Sequence, residues 1–243
     1  AADGTTQLNG WMIKPSSFDA SKRYPVVMIQ YSGPNSQQVL DRFGVDWYYA
    51  LAEEGYIIAS VDGRGTGARG EMFRKQTYLN LGVIESDDQI AAAKHFATLP
   101  YIDGNRIGIW GWSYGGYNVL MSMSRGGGAF KAGVAIAPVT DWRFYDTVYT
   151  ERFMRTPQQN KIGYDNGSAI ALANKLQGNL LLIHGTTDDN VHLQNSMEYT
   201  RALIEANKHF DMFMFPDKNH FISGGNSRMY LYNKVIDYYK RNL

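Results

Sequence analysis

The 243 residues contain no cysteine. That absence removes disulfides, thiolate nucleophiles and cysteine-held zinc from consideration. It leaves the compartment open, because many exported proteins also lack cysteine. An excess of charge of either sign is missing too. Lys and Arg number 24 against 23 Asp and Glu, a formal charge of +1, which gives no electrostatic footprint for nucleic acid. No run of eighteen or more apolar residues occurs, so no membrane-spanning helix is expected. The opening residues show no basic-then-apolar leader. There is no internal repeat and no low-complexity tract.

What is present is a hydrophobic content of 44% over a length that suits one large core. Short apolar runs alternate with longer amphipathic ones. The runs predict strands at Tyr24–Gln30, Tyr56–Val61, Arg106–Trp110, Lys131–Ala137, Asn179–His184 and Phe210–Phe215. Between them, helices are expected at Trp47–Glu54, Ile84–Thr98, Ser113–Ser124, Leu193–Ala206 and Arg228–Arg241. Nearly continuous apolar strands are those of a parallel sheet covered on both faces. The expectation is an α/β fold, a mostly parallel doubly wound sheet with helices on both faces, in one domain spanning 1–243. Leu8–Lys14 reads as a leading strand or hairpin arm. Asp141–Leu176, rich in Tyr, Arg and Asn, fits the alternation least and reads as an excursion over the carboxyl edge of the sheet, where ligands bind in such folds.

The chemistry centres on Gly111-Trp112-Ser113-Tyr114-Gly115. An apolar strand enters this pentapeptide and an amphipathic stretch leaves it, the context of a G-x-S-x-G nucleophile elbow. A serine on so tight a turn crowds positions two residues away on each side, and glycine fits there. The helix N-terminus after Ser113 offers backbone N–H groups to an oxyanion. A serine nucleophile needs a base, and the base an orienting acid, in the chain order Ser, acid, His. Of the histidines after Ser113, His184 ends a strand and His192 opens a helix. His209 sits at the wrong end of the last strand. His220, in the polar loop after that strand, is the candidate base. Asp188 and Asp189 both follow the preceding strand, and spacing does not separate them. One of the pair has an N-cap as its alternative role. A metal site from His184, Asp188 and His192 is set aside, because the triad already accounts for the acid. No cofactor is implied. Gly65-Thr66-Gly67-Ala68-Arg69-Gly70 matches G-x-G-x-x-G, but the polar Glu71–Gln76 leads on to another loop rather than opening a packed helix, so it reads as a glycine-rich loop and not a dinucleotide site.

These residues resemble one family. Gly111–Tyr117, Tyr31-Ser32-Gly33-Pro34, Asp62-Gly63-Arg64-Gly65, Tyr145–Arg152 and His184–His192 are similar, in this order, to segments of the prolyl oligopeptidase family in its dipeptidyl peptidase IV branch. The resemblance covers essentially the whole chain. It implies an α/β-hydrolase fold and a serine exopeptidase that releases N-terminal dipeptides after Pro or Ala through an acyl-enzyme. Sister activities of the family, tripeptide release or acylpeptide and ester hydrolysis, are the alternative, and a non-catalytic binding member of the fold is a remote one. By the same similarity Asp188 is the triad acid, beside Ser113 and His220. The oxyanion hole pairs the Tyr114 amide with the Tyr31 hydroxyl. Val139, Trp142, Tyr145, Tyr149 and Val191 join Tyr114 around the substrate's proline, and Asn190 holds a substrate carbonyl. A rigid proline ring suits aromatic walls and brings no N–H to satisfy. This gives part of the aromatic content, 14% with 17 Tyr, a use beyond packing.

Two departures accompany the likeness. The residue after His220 is Phe221, where the family has glycine. The N-terminal β-propeller of the branch, whose glutamates bind the substrate amine, has no counterpart in this stretch, which is expected to be a catalytic domain on its own. The implied partners are a peptide with penultimate Pro or Ala, that propeller, and a second copy in a full-length homodimer; nucleic acid is not among them. The full-length form is expected outside the cytoplasm.

Overall fold

The computed structural model describes residues 1–243. Seven strands form one sheet: β1 Asn9–Ile13, β2 Tyr24–Ile29, β3 Ile57–Asp62, β4 Ile102–Trp112, β5 Ala132–Ile136, β6 Asn179–Gly185 and β7 Asp211–Phe215. Their order is β1-β3-β2-β4-β5-β6-β7. β1 runs antiparallel to β3, and every other pairing is parallel. The N-terminal strand therefore closes one edge of the sheet instead of pairing with β2.

The helices are α1 Tyr48–Glu53, α2 Glu71–Arg74, α3 Val83–Phe96, α4 Tyr114–Arg125, α5 Thr147–Met154, α6 Lys161–Asn166, α7 Gln194–Glu205 and α8 Ser227–Asn242. Alternate strand residues supply two cores, because successive side chains leave a strand on opposite faces. On one face Val26, Met28, Ile57, Ala59, Leu180 and Leu182 meet α3, α4 and α7 through Ile90, Leu120 and Leu203. On the other, Val27, Ile29, Ile58, Val134, Leu181 and Ile183 meet α1 and α8 through Leu51, Leu231 and Val235. The doubly wound arrangement is that of an α/β-hydrolase.

Three differences from the sequence reading have local causes. β4 begins at Ile102, four residues before the apolar run. The polar stretch Asp103-Gly104-Asn105 is carried into the strand because Ile102 already pairs with Tyr24, across an irregularity in the ladder. Glu71–Gln76, expected to lead on to another loop without opening a packed helix, holds the one-turn α2 and the start of a 3₁₀ turn over Lys75–Thr77, with Phe73 buried beneath. The excursion 141–176 is mostly helical, holding α5, α6 and 3₁₀ turns at Trp142–Phe144 and Ile170–Lys175. Asp141 and Asp146 cap two of these by accepting from Arg143 N and Tyr149 N, as expected for aspartate at a helix start.

The glycine-rich loop after β3 serves the scaffold. Arg64 meets the wholly buried Asp88 of α3 through Nε and Nη2, at 2.9 and 2.7 Å. Asp62 accepts the backbone N–H groups of Gln38 and Val39. No helix is long and apolar enough to cross a membrane.

Candidate active site

Parallel strands in register end together, so the loops that leave their carboxyl ends share one edge of the sheet. Tyr31 follows β2, Ser113 follows β4, Asp188 follows β6 and His220 follows β7. Residues scattered over 190 positions of sequence are thereby collected at that edge by the order β2-β4-β5-β6-β7.

Ser113 occupies the turn between β4 and α4 with φ 60° and ψ −119°. This backbone region is unfavourable for a residue with a side chain, at roughly 1–3 kcal/mol. The strain is held from both sides. Ser113 N donates to Ile136 O of β5 at 2.8 Å, and Ser113 O accepts from Tyr117 N at 2.9 Å. The flanking glycines are steric necessities. A Cβ on Gly111 would lie 2.2 Å from the carbonyl of Gly115, and one on Gly115 would lie 2.6 Å from Gln30 O. Gln30 secures the same turn chemically: its side-chain amide donates to Gly115 O at 2.8 Å, and its oxygen accepts from Ser32 and Asn118. At the start of α4 the Tyr114 N–H has no intrahelical acceptor, so it is free to meet an anion beside Ser113. The Tyr31 phenol is raised in pKa by its burial, an effect opposed by the neighbouring Ser113 side chain.

His220 Nδ1 donates to Asp188 Oδ2 at 2.8 Å, which leaves Nε2 as the basic nitrogen of the ring. Both side chains are buried, at 5% and 6% exposure. The Trp112 indole donates to His220 O at 2.9 Å and ties the histidine loop to the residue beside Ser113. Phe221, in the place of the expected glycine, points outward at 62% exposure and packs edge-on against the His220 ring. The imidazole keeps its contact with Asp188.

Between the two aspartates the tertiary structure is unambiguous. Asp188 is buried, and Asp189 is exposed. Asp188 Oδ1 accepts from Asn190 N and Val191 N, both at 3.0 Å. The cap-like role considered for one aspartate and the contact with His220 thus fall on the same residue. Burial works against ionisation of Asp188, but the hydrogen bonds from His184 and His220, the His220 charge and the Asn190 amide outweigh it. The carboxyl is held well below the usual carboxylate range.

Over the edge, 141–154 lays down aromatic rings. Trp142 lies 5.3 Å from Tyr114 and 5.9 Å from Tyr149, and Tyr145 lies 5.4 Å from Tyr149. Val139, Trp142 and Val191 are buried beneath, while Tyr145 and Tyr149 are half-exposed. The Tyr145 hydroxyl donates to Asn190 Oδ1 at 2.7 Å, joining the ring cluster to the Asp188 loop. Burial raises the Tyr145 phenol to about 12 and Tyr149 further still; both are neutral hydroxyls at ordinary pH. Ser113, Asp188, His220, Tyr31, Tyr114, Val139, Trp142, Tyr145, Tyr149, Asn190 and Val191 are therefore candidates for one site at the carboxyl edge of the sheet. The sequence singled out neither Gln30, Asn118 nor Glu85 for the site, and it brought His184 and Asp188 together only in the metal site that was set aside.

Comparison with known proteins agrees with this architecture. Residues 43–243 match the prolyl oligopeptidase family. The chain is 50% identical over 237 residues to a protein named "Probable dipeptidyl-aminopeptidase B" from Grosmannia clavigera, covering 96% of this chain and 24% of that protein. A protein of the same name from Paracoccidioides lutzii is 48% identical, with 93% and 25% covered. The crystal structure of Porphyromonas gingivalis dipeptidyl peptidase 4 superposes with a TM-score of 0.98 at 62% identity, over 99% of this chain and 34% of that one. The chain thus spans about a quarter of the length of these curated relatives. The fold, the elbow serine and the family match agree: the chain belongs to the prolyl oligopeptidase family and has an α/β-hydrolase fold.

Proposed function

We propose that Ser113, His220 and Asp188 form a catalytic triad that cleaves peptides after a penultimate proline or alanine through an acyl-enzyme. The observation that carries this is the hydrogen bond of His220 to the buried, ionised Asp188, on a loop tied to the elbow of Ser113. The Ser113 hydroxyl attacks the carbonyl carbon of the scissile bond while His220 Nε2 takes its proton. The His220 proton then passes to the leaving amine, and the same base activates water to release the acyl group. Asp188 keeps the Nδ1–H tautomer and faces the imidazolium that forms. The Tyr114 N–H and the Tyr31 hydroxyl meet the oxyanion, where fixed donors lower the barrier most.

Specificity follows from the rings. Tyr114, Trp142, Tyr145 and Tyr149 with Val139 and Val191 make an apolar, aromatic slot for the residue before the cleaved bond, and a proline leaves no unpaired N–H inside it. Asn190, fixed by Tyr145, presents its amide N–H to a substrate carbonyl. Counting two residues from the substrate's amine requires an anion to meet that amine. In our reading a propeller of a longer polypeptide supplies it, and these 243 residues supply the chemistry.

The test is active-site labelling by an alkyl fluorophosphonate, followed by pre-steady-state hydrolysis of an N-acylprolyl p-nitrophenyl ester. Labelling at Ser113 and a burst of nitrophenol are expected. A Ser113→Ala protein that labels as fast as the parent would overturn the assignment.

A further inference from the structure

Glu85 stands out among the buried groups that the triad does not use. It lies on the first turn of α3 with no exposed surface, inside the apolar core. Burying a carboxylate there is costly unless it is well bonded. Its two oxygens have different partners. One accepts from the Gly82 N–H at 2.9 Å, which caps the helix. The other accepts from the Tyr114 hydroxyl at 2.6 Å. Tyr114 is itself buried, and its ring packs against Tyr31, Tyr117 and Trp142 at 6.0, 5.4 and 5.3 Å. It is the one aromatic wall that stands on the elbow itself, immediately after Ser113. Its phenol ends in the core, and Glu85 is its hydrogen-bond partner there. Ionised, above about pH 7, Glu85 accepts both donors at once. A carboxamide accepts one and has to donate to the other.

We propose that Glu85 is a positioning residue for specificity: its bond to the Tyr114 hydroxyl sets the tilt and depth of the ring, and so the width of the slot that accepts proline. This rests on the reading of Tyr114 as a pocket wall. Glu85 reaches no substrate atom and acts through Tyr114 alone. The neighbouring Tyr117 reinforces the same corner, its hydroxyl lying 2.7 Å from Gly167 O and 3.0 Å from Leu81 O. α4 is thereby anchored by two phenols, of which only the first also faces the slot. Without the Glu85 bond the Tyr114 ring is held by packing alone. A loosened wall weakens contact with a rigid ring more than contact with a methyl group, so proline loses more than alanine.

The experiment compares Glu85→Leu, Glu85→Gln and Tyr114→Phe with the unaltered chain. The substrates are N-acylprolyl and N-acylalanyl p-nitrophenyl esters, and the rate of alkyl fluorophosphonate labelling is followed in parallel. Glu85→Leu is expected to lower the proline-over-alanine ratio of kcat/KM about tenfold, the scale of a lost apolar fit. The change should come chiefly from KM on the prolyl ester, with labelling slowed far less. Glu85→Gln, which can still donate to the phenol oxygen, should recover most of the ratio. Tyr114→Phe should resemble Glu85→Leu, and it reads the same bond should the leucine variant fail to fold. Variants that keep the parental ratio overturn the role of Glu85 while the proline pocket stands. Labelling that slows in parallel with prolyl turnover overturns it too, by showing a general loss of the elbow. An unaltered chain with no preference for proline defeats the pocket itself, and with it this role.

Discussion

His184 Nε2 lies 3.1 Å from Asp188 Oδ2, the same oxygen that His220 Nδ1 reaches at 2.8 Å. Because His184 Nε2 is also 2.8 Å from Val191 O, an acceptor, it carries the proton. Its Nδ1 then accepts from the Ser196 hydroxyl at 2.7 Å. One carboxylate oxygen is thus gripped by two imidazole N–H groups, that of His184 from β6 and that of His220 from the loop after β7.

Removing the buried donor should weaken both the loop and its chemistry. His184→Phe is expected to cost about 1–3 kcal/mol in denaturant unfolding, the range for a buried polar group left unpaired. Ester turnover should fall with it. Equal stability and equal kcat in the variant would show that His220 and the two backbone amides suffice to hold Asp188.

The two adjacent aspartates should behave oppositely. Asp188→Asn is expected to lower kcat on the order of 10³–10⁴-fold, the loss typical when the orienting acid becomes neutral. Asp189→Asn, on an exposed side chain, should leave kcat unchanged and stability within about 0.5 kcal/mol. Steady-state ester hydrolysis and thermal unfolding read both.

The elbow should tolerate no methyl group. A Cβ at Gly111 would lie 2.2 Å from backbone atoms of Gly115, and backbone cannot swing aside as a flexible side chain does. Gly111→Ala should destabilise by more than about 2 kcal/mol, at the upper end for overpacking, and should abolish labelling of Ser113. A variant with parental unfolding and labelling would show that the turn can open.

Stability should depend on pH through Glu85. Burial, the largest cause, and the nearby Asp88 raise its carboxyl, while bonds from Tyr114 and Gly82 oppose them; the result lies at about 7. Between the ordinary carboxylate value and about 7 the folded chain keeps this proton and the unfolded chain has released it. Stability therefore falls as pH rises through that window, by on the order of 3 kcal/mol for this group, and levels off above it. The difference between wild type and Glu85→Gln, measured by urea unfolding from pH 4 to pH 8, should display that slope. A difference independent of pH would remove the burial argument.

Much of this was legible along the chain. The strands β2, β3, β5, β6 and β7 were readable because both faces of the sheet are covered, which favours apolar residues along most of each strand. Ser113 was readable because the elbow needs glycine on both sides within five residues. His220 and the aspartate pair stand out as candidates because they follow strands whose order of appearance is fixed. The first residues of β4 and the turns at Glu71–Thr77 were not, since pairing with Tyr24 and the burial of Phe73 override polar composition there.

The sequence by itself determined most strands and helices, the elbow motif and His220 as the candidate base, because these depend on local backbone chemistry and on burial repeating along a strand. Spacing left Asp188 and Asp189 open and the family likeness favoured Asp188; the tertiary structure adds that Asp188 alone is turned inward to His220. That contact depends on which side chain faces inward to a histidine 32 residues away. The same holds for the grip of Gln30 on Gly115 across 85 residues, of His184 on Asp188, and of Glu85 on Tyr114. A hydrogen bond between distant residues leaves no period or spacing in the chain. It exists only once packing has set both ends a bond length apart.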